Sequence, residues 1–214
     1  MIITRFGHAA LLVEVRGVRV LIDPGAFSEP QAFALTGLDA IVVTHGHPDH
    51  LDRDRVGGLV ALNPDAVLLA APDVAEELGA PWVATADGHE TVLDEVTLTG
   101  VGARHAEILS ALPRVDNVGL LVGAPGAPTL FHPGDSYETV PADVDVLALP
   151  LSAPWTKASE TLAFLHAVAP CEAFPIHDRT VSDLGYGIYW NHMVGQSPAV
   201  RMHLLGQTDV LDLT

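Results

Sequence analysis

The chain has 214 residues, of which 49% are hydrophobic and 17% are charged. This balance excludes an intrinsically disordered protein, since such chains combine few apolar residues with many charged ones. Its 27 Asp and Glu residues against 10 Lys and Arg residues give a formal net charge of −17 at pH 7, which argues against nucleic acid or an anionic membrane as a partner.

The predicted elements begin with strands. The dipeptide Arg16-Gly17 predicts a hairpin turn between two apolar segments, and residues 27–38 are predicted to form a loop with one helical turn. One predicted helix has Pro72 near its start and Gly79 directly after its end. In this half of the chain the pattern predicts strands at 1–3, 10–15, 18–22, 40–44 and 67–69, and helices at 51–59 and 72–78.

The second half alternates predicted strands with one long predicted helix. Leu162, Leu165 and Ala169 recur at helical spacing, and Pro170 ends this helix, which is predicted at 156–169. Strands are predicted at 82–84, 95–99, 116–122, 129–131, 144–149 and 173–176. A strand-rich start, helices between later strands and the lack of a linker indicate one layered α/β domain that spans residues 1–214.

The sequence also predicts the environment of the protein. No apolar run approaches the roughly 18 residues of a transmembrane helix, and the N-terminal residues lack the features of a signal peptide. The single cysteine, Cys171, has no partner for an internal disulfide, and its place beside an apolar strand predicts a buried thiol. We therefore expect a soluble, cytoplasmic protein.

Three histidines and an aspartate lie within six residues of one loop. The segment His45-Gly46-His47-Pro48-Asp49-His50 follows an apolar run at 40–43 that is predicted to be a buried strand. Gly46 and Pro48 keep this loop out of a helix, so that neighbouring side chains spread around two points. Neutral imidazoles suit zinc and its first-row neighbours, and a carboxylate adds charge for a second ion. The segment therefore predicts a metal-binding loop.

The pattern His45-x-His47-x-Asp49-His50 resembles the signature of the metallo-β-lactamase superfamily of metal-dependent hydrolases. Four further candidates occur in the order that this family shows, and they are Asp23, His105, Asp135 and His177. The resemblance implies a four-layer αβ/βα sandwich with metal ions at the seam between two sheets. The periodicity of the sequence alone supports only a mixture of α and β structure.

The resemblance also implies a ligand set for two divalent ions. The first ion is assigned to His45, His47 and His105. The second ion is assigned to Asp49, His50 and His177, and Asp135 is assigned as the bridge between the two ions. Two ions that share a water lower its pKa from about 15.7 toward about 7, and the hydroxide, oriented by Asp49, would attack the substrate. Zinc is the expected metal, with manganese or iron as alternatives.

Several assignments have alternatives. His89 competes with His105 for the first ion, but the strand before His105 and its spacing fit the family better. Asp135 has a structural alternative, because the Pro-Gly-Asp-Ser composition around it is favoured in turns. Asp23 is expected to accept a ring N–H from a ligand histidine and so fix its tautomer. The remaining histidines interpreted as structural are His132, His166 and His203.

Two further histidines are candidate catalytic residues. His8 lies in Gly7-His8-Ala9, which is similar to a sequence near the start of the compact branch of this family that contains ascorbate-phosphate lactonases. It is expected either to donate a proton or to hold a substrate group. His192 lies in an aromatic cluster that either walls a pocket beside His177 or packs in the core. The members of this cluster are Tyr186, Tyr189 and Trp190.

The predicted function is hydrolysis of an ester or lactone bond in a small soluble metabolite. Asp135 stands where β-lactamases of this fold carry cysteine or serine, which argues against antibiotic hydrolysis. Arg104 and Arg179 are the only basic residues beside the candidate ligands in sequence, so a phosphate clamp is not indicated. The alternatives are a phosphodiesterase with the same dinuclear centre and a protein that binds metal or a small ligand without catalysis.

Overall fold

Two seven-stranded sheets form the framework of the protein, which a computed structural model describes over residues 1–214. The strands of the first sheet are β1 (Ile2–Arg5), β2 (Leu11–Val15), β3 (Val18–Ile22), β4 (Ala40–Val43), β5 (Val67–Ala70), β6 (Val83–Ala84) and β14 (Val210–Asp212). Their order in space is β14-β1-β2-β3-β4-β5-β6. The pairs from β14 to β3 are antiparallel, and the pairs from β3 to β6 are parallel.

The second sheet has the same division into an antiparallel and a parallel part. Its strands are β7 (Glu90–Leu93), β8 (Val96–Val101), β9 (Gly119–Gly123), β10 (Leu130–His132), β11 (Val146–Pro150), β12 (Glu172–Ile176) and β13 (Arg201–Met202). Their order is β13-β12-β11-β10-β9-β8-β7. The pairs from β7 to β10 are antiparallel, and those from β10 to β13 are parallel.

Four α-helices connect the parallel strands or follow them. They are α1 (Val56–Leu62), α2 (Pro72–Leu78), α3 (Ala158–Val168) and α4 (Asp183–Gln196), and a short 3₁₀ helix covers Pro30–Ala34. Helix α3 ends at Ala169, which has a left-handed φ of 49° and precedes Pro170. Helix α4 begins after Ser182, whose side chain accepts a hydrogen bond from the N–H of Gly185 at 3.2 Å.

The two sheets pack face to face, and the helices cover their outer faces. The central core contains 23 buried apolar residues from both sheets, including Val13 of β2 and Phe174 of β12. The outer face of the second sheet packs against α3 and α4 through Phe164 and Met193. The outer face of the first sheet packs against the 3₁₀ helix, α1 and α2. This arrangement of helix, sheet, sheet and helix confirms the predicted four-layer αβ/βα sandwich.

Helix α4 was not indicated by the sequence pattern. It contains Gly185, Gly187 and Gly195, and glycine inside a helix costs roughly 1 kcal/mol relative to alanine. Trp190 and Met193 are buried against the second sheet, so tertiary packing supports this helix in spite of its low propensity. The sequence pattern also did not indicate strands β7, β13 and β14. Strands β13 and β14 contain only two and three residues, which is too short for a periodic pattern.

Two other predictions were wrong in detail. The helix predicted at 51–59 begins only at Val56, because Asp52 accepts the backbone N–H groups of Asp54 and Arg55 and holds a turn there. Cys171 is exposed rather than buried, because a residue beside an apolar strand can face either side of the sheet. None of the helices combines the length and the hydropathy of a membrane span.

Candidate metal centre

Loops that follow strands of both sheets bring the predicted side chains together. Asp23 follows β3 and His45 follows β4 in the first sheet, whereas Asp135 follows β10 and His177 follows β12 in the second. All four strands have parallel partners, and side chains beyond the carboxyl ends of parallel strands form binding sites. His105 reaches the same place from the loop after β8.

The candidate ligand atoms form adjacent groups whose members lie within 4.8 Å of one another. One group contains three histidines and a second contains three histidines and an aspartate, while Asp135 groups with one histidine from each. The three groups are His45, His47 and His105; His8, Asp49, His50 and His177; and Asp135 with His45 and His50. The Oδ1 atom of Asp135 lies 3.2 Å from His50 Nε2, and its Oδ2 atom lies 3.0 Å from His177 Nε2. All seven predicted ligands are thus brought together, with Asp135 between the two sets.

One ring nitrogen of each of four histidines faces an oxygen of the protein. The Nδ1 atom of His45 lies 3.1 Å from Thr44 Oγ1, and that of His50 lies 2.6 Å from Asp23 Oδ2. The Nδ1 atom of His105 lies 2.6 Å from the Ala106 carbonyl oxygen, and that of His177 lies 2.7 Å from the Ser152 carbonyl oxygen. Carbonyl and carboxylate oxygens only accept hydrogen bonds, so the Nδ1 atoms that face them carry the proton. The Thr44 hydroxyl donates to Asp23 Oδ2 at 2.7 Å and therefore accepts from His45.

The nitrogens that remain are those that a metal ion needs. When Nδ1 carries the proton, Nε2 of a neutral imidazole presents a lone pair. The buried atoms without a hydrogen-bond partner include the Nε2 atoms of His45, His50, His105 and His177 and the Oδ1 atom of Asp135. Buried polar atoms without a partner are rare in folded proteins, and bound cations would pair all of these at once. The donor set therefore fits divalent first-row metal ions.

Asp23 holds the start of the metal-binding loop. Its Oδ1 atom accepts the backbone N–H of Thr44 at 2.7 Å, and its Oδ2 atom accepts both the Thr44 hydroxyl and His50 Nδ1. The aspartate is completely buried, so these charge-assisted bonds are strong. Asp23 thus makes the contact that the sequence predicted, and it fixes the tautomer of His50.

Backbone strain concentrates at the same place. Seven non-glycine residues have a positive φ, and three of these are His8 (48°), Asp23 (50°) and His177 (61°). This conformation costs a non-glycine residue roughly 1–2 kcal/mol and persists only where its surroundings hold it. The N–H of His177 donates to the His8 carbonyl at 3.0 Å, so two of the strained residues stabilise each other. Such strain is typical of functional sites.

The charges of the centre move its pKa values in opposite directions. Burial lowers the pKa of His45 well below its usual value, so this imidazole is neutral at pH 7. Burial also disfavours the charged form of His177, but the Asp135 carboxylate outweighs it and raises the pKa of His177 to about 9. Burial raises the pKa of Asp135, but His177 and His50 outweigh that effect and hold it well below its usual range. Without metal, the centre therefore contains ionised carboxylates beside protonated histidines.

Trp155 belongs to the site although the sequence did not indicate it. Its Nε1–H donates to Asp135 Oδ2 at 2.8 Å, and its ring lies edge-on to the His105 ring at a centroid distance of 6.0 Å. The indole is buried, so this bond orients the carboxylate that lies between the two groups of ligands. A tryptophan in a loop after β11 carries no ligand signal, and only the contact to Asp135 reveals its role.

His8 contacts Asp49 in the structure. Its ring is completely buried, its Nδ1 atom accepts the N–H of Arg179 at 3.3 Å, and its Nε2 atom lies 3.0 Å from Asp49 Oδ2. Since Nδ1 accepts, Nε2 carries the proton and donates a hydrogen bond to the Asp49 carboxylate. Burial lowers the pKa of His8 to about 4, which keeps the ring neutral at pH 7. The bond from His8 therefore orients the Asp49 carboxylate.

The other histidines belong to none of the candidate ligand groups. His192 is exposed on α4 and belongs to none of the ligand groups, so its predicted catalytic role has no support, while Trp190 packs in the core. His89 is exposed, and His105 is buried in the centre instead. The ring nitrogens of the three remaining histidines contact protein oxygens, as expected, in the pairs His132 with Ala9, His166 with Gln196 and His203 with Glu172.

A cavity of about 300 Å³ opens onto the centre. Five candidate ligands line it together with aromatic and apolar side chains, and no lysine or arginine does. The residues beside the ligands are Phe27, Pro48, Ile108, Pro154, Trp155 and Thr180. Of the two basic residues considered from sequence, Arg104 is exposed, and the Arg179 guanidinium bonds Glu29 and Gln207.

Comparison with known proteins identifies the family of this chain. A profile described as the beta-lactamase superfamily domain matches residues 2–177. The protein Rv0786c of Mycobacterium tuberculosis is 44% identical, and the match covers 90% of this chain and 91% of that protein. A UPF0173 metal-dependent hydrolase of Brucella ovis is 30% identical over 84% of this chain and 88% of its own length.

The fold also has counterparts among solved structures. A metallo hydrolase from the hyperthermophilic archaeon Ignicoccus hospitalis superimposes with a TM-score of 0.75 at 19% identity, and the match covers 98% of this chain and 97% of that one. Because the identity is so low, this likeness concerns the arrangement of the elements alone.

Proposed function

The chain belongs to the metallo-β-lactamase superfamily of metal-dependent hydrolases, and on this premise we propose that it cleaves an ester or lactone bond of a small soluble metabolite. The proposal includes a centre of two divalent ions, with zinc as the expected metal. It also assigns the protein to the cytoplasm and gives it no nucleic-acid or membrane partner.

One observation carries the proposal of two ions. Five buried donor atoms lack a partner and converge from both sheets, and they belong to His45, His50, His105, His177 and Asp135. Three protein ligands for each ion leave positions open, which is the arrangement of catalytic sites rather than of structural ones. His45, His47 and His105 would hold one ion, and Asp49, His50 and His177 the other, with Asp135 between them.

When bound, two divalent ions would lower the pKa of a water molecule and would place positive charge beside the reacting carbonyl group of a substrate. The side chains of the centre perform the remaining tasks. Asp49 lines the cavity, and His8 holds its carboxylate, so Asp49 is placed to orient the attacking water. Burial raises the pKa of Asp49, but the neighbouring His177 and the hydrogen bond from His8 outweigh it and keep the carboxylate ionised and accepting. Phe27 and Trp155 line the cavity with aromatic surface, which limits the access of further water.

The charges around the cavity favour a carbonyl substrate over a phosphodiester. No lysine or arginine lines the 300 Å³ cavity, and the guanidinium of Arg179 is engaged by Glu29. Arg114, which lies beside His47 and His105 in an adjoining cavity, is paired with Glu138. A phosphodiester has an anionic group that usually binds arginine or lysine beside the ions. A carbonyl ester has no such requirement, because the charge on its oxygen develops only in the transition state.

The proposal is tested with a panel of substrates. The purified protein, loaded with zinc or manganese, is offered a lactone, a carboxylic ester, a thioester, a phosphodiester and a β-lactam, and its bound metal is counted by elemental analysis. We expect two ions per chain, turnover of the lactone or ester ahead of the phosphodiester, and negligible turnover of the β-lactam. The His45→Ala variant should lose both metal and turnover, whereas His89→Ala, a change at an exposed histidine, should retain them.

Other outcomes favour the alternatives. A phosphodiester that is cleaved faster than the lactone and the ester would make the protein a phosphodiesterase. A single saturated ion without turnover of any substrate would indicate a protein that binds metal or a small ligand. Full activity and unchanged metal content in His45→Ala would reject the centre itself.

A further inference from the structure

A second and larger cavity lies beside the metal centre. Its volume is about 720 Å³, which is within the roughly 300–1,000 Å³ of small-molecule sites. Helix α3 forms one wall with Ala163, Phe164 and Ala167, and the loop after β10 contributes Tyr137 and Val140. This volume exceeds the 300 Å³ of the cavity at the metal centre, so a substrate that occupies both would have most of its atoms away from the reacting bond.

The two cavities adjoin each other. Ile108, Pro154 and Trp155 line both of them. Trp155 separates them, because its indole N–H bonds to Asp135 on one side and its ring lies edge-on to Tyr137, at a centroid distance of 4.8 Å, on the other. The shared lining places the larger cavity next to the position that the reacting bond of a substrate would take.

The aromatic wall of the larger cavity presents carbon rather than polar atoms. Tyr137 stacks on Phe164 with an interplanar angle of 24°, and its hydroxyl donates to the Pro150 carbonyl. The indole N–H of Trp155 is likewise used by Asp135. With these polar atoms already bonded within the protein, the rings offer an apolar surface for burial.

The charged groups at the rim are either paired or negative. Lys157 Nζ lies 3.0 Å from Glu160 Oε1, and Glu138 bonds the guanidinium of Arg114. Glu107 also lines the cavity. Three carboxylates against one lysine in the lining disfavour an anionic group there, because the potential at the rim is negative.

From this shape and charge we propose that the substrate has an uncharged, apolar tail that lies in the larger cavity while its ester or lactone bond lies at the metal centre. The inference rests on the proposed hydrolase function and names the substrate class. In hydrolysis, the water oxygen forms a bond to the carbonyl carbon, the single bond from this carbon to the ester oxygen breaks, and a carboxylate, a hydroxyl group and a proton result. The tail stays on one of the two products of an ester, or on the single hydroxy acid formed from a lactone.

The test uses two series of esters with the zinc-loaded protein. In one series the acyl chain grows from acetyl to octanoyl on a constant alcohol, and in the other the alcohol grows on a constant acetate. We expect kcat/KM to rise roughly fourfold for each added methylene in one of the series, since burial of a methylene stabilises by about 0.8 kcal/mol. A chain of the same length that ends in a carboxylate should lose this gain.

Variants of α3 locate the tail. Ala163→Trp and Ala167→Trp replace exposed residues that line the larger cavity, so they should fold normally while filling it. In the series that shows the gain, they should reduce kcat/KM for the longest ester at least ten times more than kcat/KM for the shortest ester. Ser159→Trp, on the same helix but outside the lining, is the matched control and should behave like the wild type.

A binding measurement separates this inference from the proposed reaction. Calorimetry with sodium octanoate and 1-octanol should show that one of these binds the wild type and the Ser159→Trp variant but not Ala163→Trp. Ester turnover without dependence on chain length, equal in all variants, would overturn the apolar tail and leave the hydrolase function intact. Binding that Ala163→Trp abolishes, without turnover of any ester, would support the apolar site and reject the ester reaction. Absence of both would reject both.

Discussion

Four histidines of the candidate metal centre each have one ring nitrogen next to a protein oxygen, while the other ring nitrogen faces the other candidate ligands. Oxygens of Thr44, Asp23, Ala106 and Ser152 face the four Nδ1 atoms, and the Nε2 atoms are left without a partner. The same logic separates His8 from the ligands, because its Nδ1 atom accepts a hydrogen bond and its Nε2–H donates to Asp49. At the scale of single residues, the tautomer therefore decides which histidines can bind metal.

Trp155→Phe tests the orientation of Asp135. The substitution keeps an aromatic ring but removes the N–H donor to Asp135 Oδ2, and loss of such a supporting bond usually weakens metal binding 10- to 100-fold. We expect a weakening of about tenfold or more, measured by titration against a chelator of known affinity. Trp82→Phe, at a half-buried tryptophan of the first sheet, is the control and should bind metal like the wild type. Equal affinity in both variants would mean that the indole does not position the carboxylate.

His8→Ala tests the support of Asp49. Without the donor at Nε2, Asp49 loses the bond that orients it, so binding of the ion proposed for Asp49, His50 and His177 should be weakened selectively. We expect the metal content to fall from two ions toward one per chain. His192→Ala, on the exposed side of α4, should leave both the metal content and the turnover unchanged. A loss of turnover in His192→Ala with full metal content would restore the catalytic role predicted from sequence.

Metal binding should release protons. Carboxylates raise the pKa of His177 to about 9 in the metal-free centre, despite its burial, so this histidine is protonated at pH 7 and must lose its proton to bind an ion. The affinity for zinc should therefore rise with pH from about 6.5 to about 9 and level off above that range. Calorimetry in buffers of different ionisation enthalpy measures the proton count directly. No proton release at pH 7 would contradict the charge state assigned to His177.

At the scale of elements, the loops that follow two neighbouring strands are joined by backbone hydrogen bonds. The loop after β3 contacts the metal-binding loop after β4 through the Ala26 N–H, which donates to the Pro48 carbonyl at 2.7 Å. The Asp52 N–H donates back to the Pro24 carbonyl at 3.1 Å. Between these bonds, Gly25 lies so close to Asp49 that an added Cβ would overlap the Asp49 carbonyl. Close approach of the two backbones thus defines the shape of the metal-binding loop.

Gly25→Ala should distort this loop. Since the overlapping atoms belong to the backbone, a rotation of a side chain cannot relieve the clash, and we expect a loss of stability of about 1–3 kcal/mol. Weaker metal binding should accompany it, and chemical denaturation together with a metal count measures both effects. Gly57→Ala is the matched control, because a Cβ there meets nothing within 4 Å and lies inside α1. It should raise stability by about 0.5–1 kcal/mol.

A single buried arginine connects distant parts of the whole molecule. Arg5 of β1 is completely buried, and its guanidinium bonds Asp178, which follows β12, and the Leu205 carbonyl near the C-terminal strand. The guanidinium also donates to the His8 carbonyl at 3.4 Å. The two sheets are therefore joined by a charged network as well as by the apolar core, directly behind the metal centre.

Arg5→Met should destabilise the fold far more than the loss of a surface ion pair. The Asp178 carboxylate would remain in a largely buried position without its cation, which usually costs about 3–5 kcal/mol. Arg53→Met removes the exposed pair with Glu77 and should cost less than about 1 kcal/mol. Denaturant midpoints of the two variants provide the comparison. Similar losses in both would show that the Arg5 network contributes little to stability.

The sequence by itself determined the features that depend on neighbouring residues. The segment from His45 to His50 predicts a metal-binding loop because four potential ligands lie within six residues after a buried strand. Apolar runs predicted most strands, and the helix signals around α2 and α3 were correct, since periodicity and breakers act locally. The assignment of His105, Asp135 and His177 needed the order of residues in a known family, because spacing alone does not show that they meet.

Tertiary structure alone decided the features that depend on distant contacts. Trp155 reaches Asp135 from 20 residues away, and His8 reaches Asp49 from 41 residues away. The packing of two sheets creates both contacts, and no local pattern encodes them. Helix α4 likewise forms although its glycines lower its propensity, because the second sheet buries Trp190 and Met193. Hydrogen-bond partners, and with them the tautomer of each histidine, are settled only when the chain has folded.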